Sequence, residues 1–79
     1  MRMTWQIVLK DGSRHEVSGD IHFESVRGSK RICPSPIAAA NDILVRAVEQ
    51  HDVVLESPHG HHYKAAVEMV DGKWRVVGL

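Results

Sequence analysis

Tyr63-Lys64-Ala65-Ala66-Val67-Glu68-Met69-Val70-Asp71-Gly72-Lys73-Trp74-Arg75-Val76 is the stretch that decides the fold. Tyr63, Ala65, Val67 and Met69 alternate with His62, Lys64, Ala66 and Glu68, the period of a strand with one face toward a core. Asp71-Gly72 suits a two-residue hairpin turn, whose central positions take positive φ. That loop length sets Met69 opposite Trp74 and Val67 opposite Val76 on the apolar face, with Glu68 opposite Arg75 on the polar one. Cross-strand pairs that agree on both faces specify the register, so this segment predicts an antiparallel hairpin.

Upstream of it, Ser57-Pro58-His59-Gly60 reads as a turn and Val53-Val54-Leu55 as the start of another strand. Before these, Ser35-Pro36 predicts a helix start, with serine at the N-cap and proline at the first helical position. Ile37, Ala40, Leu44, Ala47, Val48 and His51 recur at spacings of three and four, flanked by Ile43, while Asn41, Asp42, Arg46, Glu49 and Gln50 hold the other side. The pattern predicts one amphipathic helix of about four turns, ending near His51-Asp52.

Residues 27 to 35 contain a basic cluster and turn formers, and read as a loop. Ile21, Phe23 and Ser25 suggest a short strand ahead of it. At the N-terminal side Trp5, Ile7 and Leu9 alternate with polar residues up to Asp11-Gly12. A three-residue loop, Lys10-Asp11-Gly12, pairs Ile7 with His15 and Trp5 with Val17. A two-residue loop would set apolar against polar residues, so the pattern selects the longer one.

The fold class that follows is α+β: a single antiparallel sheet of five or six short strands in the order β-β-(β)-α-β-β-β, with one amphipathic helix packed on one face. All 79 residues fall in one domain. The expected core is Trp5, Ile7, Leu9, Val17, Phe23, Ile37, Ala40, Leu44, Ala47, Val48, Leu55, Tyr63, Val67, Met69, Trp74 and Val76. A domain this small buries barely enough apolar surface to offset the ordering of its chain, which argues against a large enclosed reaction chamber.

Lys plus Arg number 10 and Asp plus Glu number 10, so the formal charge is zero, without the basic excess usual in a nucleic-acid binder. Six histidines make the surface charge sensitive to mild acid. The single Cys33 permits no internal disulfide and favours a reducing compartment. No apolar run resembles a signal peptide or a membrane span, and the expected location is the cytoplasm.

Two groups of residues stand out as candidate contacts. Arg27, Lys30 and Arg31 form a basic cluster before the expected helix start, where an anion or an acidic surface would be attracted. The ordinary alternative is a solvated loop, since short basic runs are common. His59, His61 and His62 offer neutral imidazoles suited to zinc or nickel. On an extended chain, however, His61 and His62 point to opposite faces, and no spaced motif supplies a fourth ligand, so the ordinary reading is a polar hairpin tip. Nothing near Cys33 identifies a base or an oxyanion hole, and His15 is expected to pack rather than ligate.

The residues therefore predict a small non-enzymatic binding protein, an inhibitor or adaptor that covers a surface on a protein or nucleoprotein partner and needs no cofactor. In size, neutral charge and lack of motifs it is like many small phage-encoded inhibitors of bacterial defence systems, a general likeness with no residue pattern behind it. An exposed sheet edge offers a route to a homodimer. The alternatives are a nucleic-acid-contacting module using the basic loop 27–31 and the helix N-terminus, and a metal-binding protein using the His59, His61 and His62 tip; no membrane association is expected.

Overall fold

A computed structural model describes residues 4–79. The elements are β1 (Trp5–Val8), β2 (Arg14–Val17), β3 (Phe23–Val26), β4 (Ser29–Ile32), β5 (Ser35–Pro36), α1 (Asn41–Gln50), β6 (Val53–Glu56), β7 (His62–Val70) and β8 (Lys73–Gly78). Six strands form one antiparallel sheet in the order β2-β1-β6-β7-β8-β5, while β3 and β4 form a separate two-stranded ribbon. The α+β class and the helix laid on the sheet follow the sequence pattern. No helix among the described residues is long and apolar enough to cross a membrane.

Both hairpins take the registers that their side chains specify. Trp5 opposes Val17 and Ile7 opposes His15, and the loop is closed by Leu9 N–H donating to the Ser13 carbonyl at 3.0 Å. Met69 opposes Trp74, Val67 opposes Val76 and Glu68 opposes Arg75, around Asp71 and Gly72 with φ of 53° and 75°. An ion pair joins Glu68 and Arg75 as expected. Burial on the apolar face stops at Val67 and Val76, however. Met69 is 51% exposed and Trp74 is half-buried, so the tip of this hairpin projects past the core. Strand β7 serves two partners, pairing through residues 62–65 with β6 and through residues 65–70 with β8.

The chain from Ser35 to Ala38 departs from the expected helix. Ser35 and Pro36 pair with Val76 and Arg75 of β8, and Ile37 N–H reaches the Trp74 carbonyl at 3.2 Å. Two residues on, Ala38 exchanges both backbone hydrogen bonds with Ser18, at 2.8 and 2.9 Å, immediately after β2. One short segment thus links β8 to the end of β2 and brings the two ends of the strand order together. Ser35 does not cap a helix: fully buried, its hydroxyl donates to the Cys33 carbonyl at 2.8 Å and accepts from His22 N–H at 3.1 Å. The helix starts instead at Asn41, behind Ala40, which makes no side-chain cap, and runs for 10 residues rather than four turns. The alanines at 38 to 40 have high helix propensity, and the tertiary hydrogen bonds of Ala38 override it.

The helix buries Ile43, Leu44 and Ala47, leaving Ala40 and Val48 outside the core where the periodicity placed them inside. Its exit is tight: His51 has φ 68° and ψ −63°, and Asp52 N–H donates to the Gln50 carbonyl at 2.8 Å, a γ-turn of the less favoured hand. Ile7, Leu9, Val17, Leu55, Val67 and Val76 are buried as expected, joined by Ile32, Val53 and Ala65. Phe23 remains partly exposed, although its ring packs on Trp5 and Tyr63. Residues 29–32, read as loop, are strand β4. The ribbon turns on Arg27 and Gly28 at φ 52° and 80°, and an arginine in that position hides the hairpin from a turn-residue reading.

Two outcomes test this account. The Asp11 carboxylate accepts from the Ser13 hydroxyl at 2.6 Å and from its amide at 2.9 Å, with Arg46 of the helix at 3.2 Å. These donors, Ser13 first, hold its pKa below the ordinary value. A carboxyl depressed by folding stabilises the fold above its unfolded pKa, and loses that effect as pH falls through the folded value. Asp11→Ala is expected to lower the thermal midpoint at neutral pH, with the gap closing as pH falls below the ordinary carboxylate range. Gly19 has φ 145°, and a Cβ there would overlap the Pro36 carbonyl oxygen at the seam. Gly19→Ala is expected to cost at least about 2 kcal/mol in urea unfolding, and a neutral result would contradict the seam.

Candidate functional site

The ribbon is ordered with little help from the core. Seven of its eight strand residues are exposed, and Ile32 alone is buried. Three rings hold its base: Phe23 lies 5.1 Å from Tyr63 and 5.9 Å from Trp5, and Trp5 lies 5.9 Å from Tyr63, centroid to centroid. Such tilted ring pairs contribute beyond their buried area. Gly78 seats the other side. A Cβ on it would come within 2.8 Å of the Ile32 backbone, so only glycine lets β4 approach β8 this closely. Beyond the base the ribbon carries Arg27 at its turn and Lys30 and Arg31 on β4, so the structure brings the whole basic cluster together on one projecting element.

Charge pairing separates Arg27 and Lys30 from most of the other cations. Lys10 meets Asp52 at 3.5 Å, Arg14 meets Glu56 at 3.3 Å and Arg46 meets Asp11 at 3.2 Å, and Arg75 pairs with Glu68. Arg31 pairs with Glu24 at 2.7 Å. Among the described residues, Arg27, Lys30, Lys64 and Lys73 form no ion pair. Arg27 and Lys30 are on the ribbon. Lys64, which the sequence placed on the polar face of a strand and nothing more, lines the same cleft as Lys30.

That cleft, of about 290 Å³, runs between β4 and the adjoining parts of β7 and β8. Lys30, Arg31 and Lys64 stand around it, with Val26, Ile32, Tyr63 and Leu79 as its apolar lining. Alternation along β7 gives Lys64 its side of the strand, but only the packing of the ribbon reveals that this side forms a wall. Leu79 carried no signal at all.

The histidines are not gathered in the same way. His59 and His61 are exposed on the turn between β6 and β7, where the Ser57 hydroxyl accepts from both of their backbone amides at 3.3 and 3.0 Å. His62 begins β7, and its Nε2 lies 2.7 Å from Oε1 of Glu56. Glu56 is only 3% exposed, between Arg14 and His62, a buried carboxylate that the sequence did not announce. Its register position, opposite Gln6 on one side and His62 on the other, explains the pairing. His15 is half-buried with Nε2 2.9 Å from the Ser13 hydroxyl. Cys33 is unbridged and half-buried at the ribbon base. Among the described residues, no group of three or more His, Cys, Asp or Glu side chains could hold a metal ion.

Comparison with known proteins adds nothing to this geometry: no family model, no curated protein and no solved structure matches the chain. For the histidine turn the structure yields a direct expectation. Calorimetric titration with zinc should give equal heats for the wild type and for the His61→Ala, His62→Ala double variant. A saturable heat lost in the variant would establish coordination there.

Proposed function

We propose that this protein is a non-enzymatic binding module, an inhibitor or adaptor that covers a surface on a protein or nucleoprotein partner, with the β3–β4 ribbon as its contact element. The observation that carries this reading is the ribbon's poor return to the fold. Ordering a residue costs on the order of 1–2 kcal/mol in backbone entropy, and eight ribbon residues bury one side chain between them. An element that contributes so little to the core, yet holds Arg27 in a left-handed turn that arginine disfavours, is explained by what it presents outward.

What it presents suits an interface. Arginine and aromatic residues dominate the energetics of protein contacts, and the ribbon offers Arg27, Arg31 and the partly exposed ring of Phe23 beside the exposed Val26. Among the described residues every buried side-chain nitrogen and oxygen has a hydrogen-bond partner, so the interior aims no idle polar group at a ligand. The unbridged Cys33 fits a reducing compartment, and the cytoplasm is the proposed location.

A photo-crosslinking residue at position 26, compared with one at position 73, tests the reading in cells that produce the protein. Position 26 is expected to yield one dominant adduct with a second macromolecule, weakened at least about tenfold by Arg27→Glu. Identical adducts from both positions, or adducts only between two copies of this chain, would overturn it.

A further inference from the structure

Resting on the ribbon as a contact element, we infer that the cleft between β4 and the adjoining parts of β7 and β8 is a docking site for an extended acidic peptide segment carrying apolar side chains, supplied by a partner protein. The argument is charge and apolar complementarity. None of the nine residues lining the cleft has a carboxylate side chain, and three are cations. Glu24 engages Arg31, which leaves Lys30 on the β4 wall and Lys64 on the β7 wall without ion pairs among the described residues. Two ammonium groups from opposite walls, with no acidic side chain in the lining, suit carboxylates on a chain threaded along the groove.

The carboxylates that lack an ion pair among the described residues are Asp42 and Glu49 on the helix, Asp71 at the β7–β8 turn, Glu16 on β2, and Asp20. None of them lines the cleft. In a chain of zero formal charge, the cleft is therefore a local positive pole.

The apolar lining selects between anionic partners. Val26, Ile32, Tyr63 and Leu79 share the cleft with the cations, and Leu79 is 63% exposed. A phosphate backbone is strongly hydrated and gains nothing from that lining, and a neutral body lacks the extended positive field that draws in a polyphosphate. A peptide with acidic and apolar residues in turn meets both halves of the lining. The volume lies at the small end of the range for binding pockets, which fits side chains of a short segment rather than a whole cofactor.

Fluorescence anisotropy provides the test, with three labelled probes: an acidic peptide with spaced leucines, its leucine-to-serine counterpart, and a single-stranded DNA of matching charge. The wild type is expected to bind the leucine-containing peptide more tightly than either other probe. Lys64→Glu and Lys30→Glu should each weaken that binding at least about tenfold, while Lys73→Glu, an unpaired cation outside the cleft, leaves it unchanged. Lys64→Gln, with its thermal midpoint checked against the wild type, separates lost charge from lost fold, and is expected to weaken binding at an unaltered midpoint. DNA binding as tight as the peptide, equal effects of Lys64→Glu and Lys73→Glu, or no peptide binding would each overturn the inference. Lys64 is not on the ribbon, so the two readings separate: loss of peptide binding with the position-26 adduct intact removes the cleft's occupant alone.

Discussion

The two backbone hydrogen bonds between Ser18 and Ala38 are the constraint from which the rest of the architecture follows. They hold the chain between Ser35 and Ala38 extended, with β8 on one side and the end of β2 on the other. With those residues held in extended pairing, a helix cannot include them, and it begins at Asn41. Only a short amphipathic helix then remains to cover the sheet, through Ile43, Leu44 and Ala47. The strand pair preceding the seam is left to pack by its base alone, with Ile32 below, Phe23 against Trp5 and Tyr63, and Ile32 backbone against Gly78. The ribbon stays separate from the six-stranded sheet, whose β8 edge is taken by Ser35 and Pro36.

The polar interactions divide along the same lines. Where elements meet, charges are neutralised locally: Arg46 of the helix reaches Asp11 of the first hairpin loop, Lys10 reaches Asp52 beyond the helix, and Arg14 reaches the buried Glu56. Exposed pairs of this kind contribute little individually. Glu56 differs, since a buried carboxylate without partners would be costly and both Arg14 and His62 attend it. Of the four cations without an ion pair among the described residues, Arg27 and Lys30 are on the ribbon and Lys64 lines its cleft.

Much of the sheet was legible because side-chain alternation and turn chemistry agree there. The registers of Trp5 against Val17 and of Val67 against Val76 were each fixed by two faces at once, and both hold. The helix start was misread because Ser35-Pro36 satisfies a local rule, whereas the buried hydroxyl of Ser35 answers to partners at Cys33 and His22. The first strand of the ribbon was legible in Phe23 and Ser25, but its second strand was hidden for a different reason. A strand exposed on both faces shows no alternation, and Arg27 occupies a turn position where asparagine or glycine would have signalled a hairpin. Of the candidate contacts, Arg27, Lys30 and Arg31 were picked out by charge alone. Lys64 and Leu79 required the packing of the ribbon, because nothing within their own segments distinguishes them.

The separation of unpaired charge has a consequence for how this molecule meets others. Its net charge is zero, so at long range it is neither drawn to nor driven from a charged neighbour. Within about 8 Å, the screening distance at physiological ionic strength, the cations around the cleft and the acids on the helix experience opposite forces from the same neighbour. The result is a torque rather than a pull. A neutral domain built this way gains little in collision frequency, but beside an acidic neighbour it is turned before contact so that its cationic cleft leads.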